Sequence, residues 1–170
     1  MRIFSAKIIT LYSIFIISII VWGCKEKSTT ESNIDELVSL EIKARQLIQT
    51  DSLRGEGLKL LQEGMMQYPS SWMLHVMAAA CYVLEQDESN AEKYFSSAFH
   101  LCDSCLKVNP TASDSANHAF LLFLLNREDE GRTELLKQPQ WREFADSFNR
   151  ETCLELILQG LGINNYNDSE

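Results

Sequence analysis

The sequence predicts an all-α protein built from short helical hairpins in series and closed by a carboxy-terminal packing helix. Its 170 residues include three prolines and seven glycines, and no run alternates between apolar and polar residues as a half-buried strand does. Small and aromatic residues recur at fixed spacings in the central part: Ala79, Tyr82, Ala91, Phe95 and Ala98. Alanines at the crossing of two helices leave room for the large rings, so this spacing predicts a closely packed helical hairpin.

The same frame extends in both directions along the chain. Upstream, the second half of a preceding unit is matched by Gly57, Leu61, Gly64 and Pro69. Downstream, after an insertion at Leu106–Thr111, the frame returns at Ala119, Leu122, Gly131 and Leu135. The pattern resembles the tetratricopeptide repeat, a helix-turn-helix unit of about 34 residues. The resemblance covers residues 38–139 and implies about three such repeats acting as a protein-binding scaffold.

The amino-terminal segment has the composition of a targeting signal. Arg2 and Lys7 precede an uncharged run, Ile8–Trp22, which is shorter than the about 20 residues that a membrane-spanning helix needs. The run ends at Gly23-Cys24, which resembles a bacterial lipobox although Trp22 departs from the usual small residue. The resemblance implies a signal peptide over residues 1–23 and, on Cys24, a covalent diacylglycerol and a fatty acyl chain; we expect no other cofactor. An uncleaved membrane anchor is the alternative.

Residues 24–33 are polar and predict a flexible tether between the lipid and a helical domain at residues 34–162, followed by a disordered tail at 163–170. Both interpretations of the segment predict that the domain lies outside the cytoplasm, and the lipobox resemblance implies a bacterial cell envelope. Lys25 stands where the best-known sorting system uses aspartate for inner-membrane retention, which favours the outer membrane. The formal net charge of −9 argues against a nucleic-acid partner.

Helix signals follow in order along the domain. Apolar residues from Ile34 to Ile48 predict a first helix that ends before Thr50, and Leu53–Gln67 predicts the second. In the repeat frame Arg45 stands where a small residue is expected, so the first helix is interpreted as a capping helix. Ser71 is expected to cap Trp72–Glu85.

The later elements carry similar signals. Ser89 and Glu92 form a capping-box pair before a helix over residues 91–102, and residues 102–110 are interpreted as a linker. Thr111 and Asp114 mark the start of the next helix, Asn126 is expected to cap the following one, and Pro139 stops it. The final packing helix is predicted from one apolar stripe: Trp141, Phe144, Ala145, Phe148, Leu154, Ile157, Leu158 and Leu161.

Transfer of the family's groove positions predicts a partner-binding groove on the first helix of each repeat. In the second and third repeats it is lined by Met73, Val76, Ala80, Val83, Ala116, Phe120 and Phe123. This lining lacks the basic side chains of a carboxylate clamp, so the expected ligand is an apolar segment or amphipathic helix of another envelope protein. The alternative is that the helix from Trp141 folds back and fills the groove, because an exposed apolar patch of this extent is uncommon.

Four cysteines remain besides Cys24. Cys102 and Cys105 have the spacing of a redox motif and form a possible disulfide, but no strand precedes them and they sit at a helix end, where the dipole does not favour a thiolate. Buried packing thiols are the alternative, and that is the expected role of Cys81.

The sequence shows no catalytic or metal-binding constellation among its three histidines. It therefore predicts a lipid-anchored, non-enzymatic adaptor that binds another protein through a tetratricopeptide-like groove. A thiol-redox protein using Cys102 and Cys105, and a purely structural lipoprotein with a self-filled groove, are the alternatives.

Overall fold

A computed structural model of the chain describes residues 31–108 and 111–163, and within them it contains helices and no strands. The all-α prediction is therefore confirmed for this part of the chain. The α-helices are α1 Glu31–Ile48, α2 Arg54–Gln67, α3 Trp72–Leu84, α4 Glu88–Val108, α5 Ala112–Leu124, α6 Glu128–Leu136 and α7 Arg150–Gly160. Short 3-10 helices lie at Asp51–Leu53 and Arg142–Ser147. The signal segment, Cys24 and residues 164–170 lie outside the described residues.

The helices pack as three hairpins in chain order. Helix α1 packs against α2, α3 against α4, and α5 against α6, while α2–α3 and α4–α5 contacts join each hairpin to the next. This arrangement is consistent with a helical repeat fold.

Small residues lie where the helices of a hairpin cross. Ala79, Ala91 and Ala98 are fully buried around the equally buried ring of Phe95. In the third hairpin, a Cβ added to Gly131 would lie 3.0 Å from the carbonyl oxygen of Ala119. Close approach of α5 and α6 therefore requires the absence of a side chain at this position.

The first hairpin uses a different small residue from the one that the repeat frame indicates. Ala44 is fully buried and its neighbour Arg45 is only partly buried. A Cβ on Gly57 would lie 3.0 Å from Ile48 Cγ1, so α2 still approaches α1 closely. Ala44, one residue before the position that the frame indicates, therefore takes the inward position.

Two turns, 40 residues apart in the sequence, have the same conformation. Gln86 and Asn126 each have a φ of 58°, and each follows a helix that begins a hairpin. In the first turn, Asp87 N–H donates to the carbonyl of Tyr82, and in the second Arg127 N–H donates to that of Leu122. This Schellman pattern satisfies the last carbonyls of α3 and α5 and reverses the chain.

The predicted linker at residues 102–110 is wrong for most of its length, because α4 continues to Val108. Lys107 Nζ lies 2.7 Å from Asp103 Oδ2 one turn away, and Ser104 Oγ donates to the carbonyl of His100. Neither proline nor glycine interrupts the segment before Pro110. The first part of the insertion is therefore an extension of α4.

Two of the predicted caps are also wrong, and Ser71 stands at the N-cap position of α3 but its side chain makes no cap hydrogen bond. Helix α4 begins before Ser89, and the Asp87 carboxylate accepts the Asn90 backbone N–H at 3.1 Å. Asn126 lies in the turn after α5 and does not cap α6. The Thr111 prediction is confirmed, because its hydroxyl oxygen accepts the Asp114 N–H at 3.0 Å.

The carboxy-terminal stripe is not one continuous helix. Residues Arg142–Ser147 form a 3-10 helix, Phe148 and Asn149 are extended, and α7 follows. Asn149 Oδ1 accepts the Thr152 N–H at 2.8 Å, so an N-cap that the stripe did not reveal starts a new helix. None of the helices in the described ranges is both long and apolar enough to cross a bilayer.

Candidate functional site

The groove face is the set of seven positions predicted on α3 and α5. Six of them are buried and Met73 is partly buried. Val76, Val83, Ala116, Phe120 and Phe123 belong to one buried cluster, and Ala80 belongs to the neighbouring one.

The carboxy-terminal segment covers the groove face. Helix α7 packs against α5 and α3. Its residues Leu154 and Leu156 lie in the cluster that contains Val76 and Phe120, and Leu158 lies in the cluster that contains Ala80. The groove face is thus occupied by a helix of the same chain in this structure.

An aromatic cluster anchors the segment before α7. The Phe120 ring meets Phe148 edge to face at 4.8 Å between centroids and Trp141 at 6.1 Å. Ala145 is fully buried beside them. Edge-to-face pairs contribute about 1 kcal/mol beyond the area that they bury, so Phe148 fixes the point where α7 begins.

Polar contacts of Arg150 hold the amino-terminal end of α7. Its Nη2 lies 2.5 Å from Glu88 Oε2, and its Nε donates to the carbonyl oxygen of Leu124 at 3.3 Å. The Arg150 backbone N–H donates to Glu128 Oε1 at 3.4 Å. Leu124 is the last residue of α5, so the guanidinium meets both a carboxylate and the negative end of a helix dipole.

A second polar contact holds the carboxy-terminal end. Gln49 Nε2, just beyond α1, donates to the carbonyl oxygen of Leu161 at 2.6 Å. Gly162 follows with a φ of 83°, and a Cβ there would collide with the Gln49 amide. Helix α7 therefore reaches from the end of α5 across α3 to the end of α1.

The groove face thus contacts α7 in the resting arrangement, and binding of another protein there stays a prediction. On α1, the apolar side chain of Ile42 is 49% exposed to solvent.

The four described cysteines are free thiols, and no disulfide joins Cys102 to Cys105 in this structure. Both lie within α4, where Cys102 Sγ donates to the Asp114 carbonyl oxygen at 3.7 Å. Burial, with the nearby Asp114 charge, raises the pKa of Cys102. Burial also raises the pKa of Cys81 to about 12 and that of Cys153 well above the usual thiol range. Such thiols hold little thiolate at neutral pH, which does not favour redox chemistry.

A second concave feature lies between α4, α5 and α6. It is an open cleft of about 350 Å³ whose lining includes Phe99, His118 and Arg127. The Phe99 ring stacks on His118 at 4.7 Å, and Arg127 lies over the same ring while it bonds to Glu130 at 2.6 Å. Burial lowers the pKa of His118. These charged groups pair with one another, and the described ranges contain no cluster of His, Cys, Asp and Glu that could hold a metal ion.

Sequence reasoning missed the polar contacts that hold α7 against the groove face. Arg150 and Gln49 carry no local motif, because their partners lie 62 and 112 residues away. The one available signal was Gly162 after an apolar helix, which indicates a left-handed turn and therefore where that helix ends. Comparison with known proteins adds no family, since no protein-family model, curated protein or solved structure matches the chain.

Proposed function

We propose that this chain is a lipid-anchored adaptor of the bacterial cell envelope that binds another protein through the groove face, without catalysis. The observation that carries the proposal is that the groove face already holds an amphipathic helix, α7, by apolar contacts along its length and polar contacts at its ends. A surface that binds a helix of its own chain has the shape and chemistry to bind a similar helix of a partner.

The proposed anchor is Cys24, with a diacylglycerol and a fatty acyl chain, after removal of residues 1–23. Two or more acyl chains hold a protein stably on a membrane, at about 0.8 kcal/mol for each buried methylene. Metabolic labelling with a clickable palmitate analogue tests this part. Label on the native chain and none on Cys24→Ser is expected; equal label on both would refute the anchor.

Capture in intact cells of the native producer tests the binding function. A photo-reactive residue replaces Met73 at the partly buried edge of the groove face, and a matched control replaces Lys93, which is exposed on α4. We expect one dominant envelope protein to be captured from position 73 and not from position 93. Capture of the same proteins from both positions would refute specific binding at the groove face.

The burial of the groove face favours one second candidate, a structural lipoprotein whose groove is permanently filled by α7. It predicts that position 73 forms adducts only with the chain's own carboxy-terminal segment. The raised pKa of Cys102 does not favour the redox alternative with Cys102 and Cys105, which predicts a reactive, readily reducible pair in a thiol titration.

A further inference from the structure

Helix α7 packs on the hairpins without being a member of any of them. It follows a 3-10 helix, whose hydrogen-bond geometry is poorer than that of an α-helix, and an extended pair of residues at Phe148 and Asn149. Apart from packing on α5 and α3, it is held by Arg150 at one end and by Gln49 at the other. The contacts within and between the hairpins do not include it.

The contacts of α7 define the chemistry that the groove face accepts. Leu154, Leu158 and Leu161 are buried at helical spacing, so the occupant presents one apolar stripe. Beside its first turn, the hairpins supply the carboxylates of Glu88 and Glu128 and the carbonyl of Leu124 at the carboxy-terminal end of α5.

This polar end selects a cation. Two carboxylates and a helix carboxy terminus repel an anion. A guanidinium can donate to the Glu88 carboxylate and the Leu124 carbonyl at once, while Glu128 accepts the backbone N–H of the same residue. The chain's net charge of −9 favours a basic partner in the same sense.

We propose, resting on the adaptor function above, that α7 is a displaceable occupant of the groove face. The partner segment that replaces it is an amphipathic helix with an apolar stripe and an arginine in its first turn. In the resting protein α7 keeps the apolar face away from water, and the partner's helix takes over both its apolar contacts and the contacts of Arg150.

Release of α7 is measured through the buried thiols of the full chain in detergent. Cys153 lies on α7, whereas Cys81 and Cys102 lie within the hairpins, and all three are buried. With an alkylating probe and mass spectrometry of each cysteine, we expect Cys153 to react about tenfold or more faster than the other two, because opening of α7 requires only local unfolding. Equal rates for all three thiols would overturn the proposal.

Substitution of Arg150 tests the polar end directly. In Arg150→Ala, the Cys153 rate is expected to rise about tenfold or more, because both side-chain hydrogen bonds of Arg150 are lost, while the Cys102 rate is unchanged. Arg142→Ala is the control, since it also removes an arginine hydrogen bond, from Nε to the carbonyl of Leu136 at 3.3 Å, but at an exposed position that precedes α7. A parallel rise for Cys102 would mean that α7 is integral to the hairpins and would overturn the proposal.

A synthetic peptide with the sequence of α7 tests whether the groove face binds a helix supplied from outside the chain. The probe is a fluorescein-labelled peptide of residues 148–163 with Cys153→Ser, added to the full-length Arg150→Ala protein. Fluorescence anisotropy is expected to show affinity about tenfold higher than for the native chain, whose own α7 competes. In the protein, Glu88→Gln is expected to weaken binding and Glu92→Gln, an exposed position one turn along α4, to leave it unchanged.

Three outcomes overturn the displacement: no peptide binding to a protein whose Cys153 reacts fast, equal binding of an Arg150→Glu peptide, or dimers of the Arg150→Ala protein in place of peptide binding. The last outcome assigns the released face to a second copy of the chain. A partner captured in cells without peptide binding leaves the adaptor function in place and removes the displacement alone. Peptide binding without any captured partner leaves the displacement in place and removes the adaptor function.

Discussion

Replacement of Glu41 by glutamine is expected to stabilise the protein at neutral pH and to have little effect in acid. Glu41 is partly buried on α1, and burial raises its pKa from 4.5 to about 7, against the opposing attraction of Arg45 one turn away. The buried carboxylate is therefore more costly in the folded chain than in the unfolded one.

The sign and size of the effect follow from the two pKa values. Below pH 4.5 Glu41 is protonated in both the folded and the unfolded state, so its ionisation does not change the stability. As the pH rises towards 7, the carboxyl group ionises first in the unfolded chain, which lowers the stability. Above pH 7 the full cost of the buried charge is present. The difference between about 7 and 4.5 corresponds to about 3 kcal/mol. A buried amide and a buried protonated carboxyl group lose similar hydration, so Glu41→Gln should change stability little at pH 4 and gain about 3 kcal/mol at pH 8.

Urea unfolding followed by circular dichroism at pH 4 and pH 8 measures this difference. The matched control is Glu63→Gln, because Glu63 is exposed on α2 and its substitution removes a carboxylate that is not buried. If Glu41→Gln and the native chain differ by the same amount at pH 4 and pH 8, the assignment of a buried, destabilising carboxylate is wrong.

Three further substitutions test the packing and the turns by thermal unfolding. Gly131→Ala should lower stability by about 1 kcal/mol, because an overpacking cost of about 2 kcal/mol exceeds the helix-propensity gain of about 1 kcal/mol; Gly55→Ala, where no atom lies within 4 Å, should be neutral or stabilising. Gln86→Gly should raise stability by a fraction of the about 1 kcal/mol that a left-handed non-glycine residue costs, and a loss would contradict the turn assignment. Thr111→Ala should cost about 1 kcal/mol through the lost N-cap, whereas Ser71→Ala should cost little, since the Ser71 side chain makes no cap hydrogen bond. Equal losses at the two caps would contradict that difference.

The sequence predicted the helical hairpins because their determinants are local or periodic. Ala79, Ala91 and Phe95 recur at spacings that only close helix packing requires, and Thr111 caps α5 within one turn of chain. The repeat frame misplaced the small residue of α1 by one position, because Ala44 and Arg45 are adjacent and the frame fixes register only to within a residue.

The missed features depend on interactions that a local pattern does not contain. The insertion in the repeat frame was interpreted as a linker, but its residues favour helix and Cys102 is buried, so α4 continues. The break at Phe148 and Asn149 interrupts a regular apolar stripe, and it is visible only through the cap that Asn149 provides. The closure of the groove face depends on Arg150 and Gln49, whose partners are distant in sequence.

The hydrogen bond between Gln49 and Leu161 has a consequence for how the molecule folds. In an open array of hairpins each unit touches only its neighbours, so unfolding can begin at either end and proceed stepwise. Here a contact that spans 112 residues joins the first helix to the last. The two ends therefore protect one another from fraying, and the chain should fold more slowly and more nearly in a single transition than a linear array of the same length. Departure of α7 would restore the linear behaviour, and α1 would become the first helix to fray.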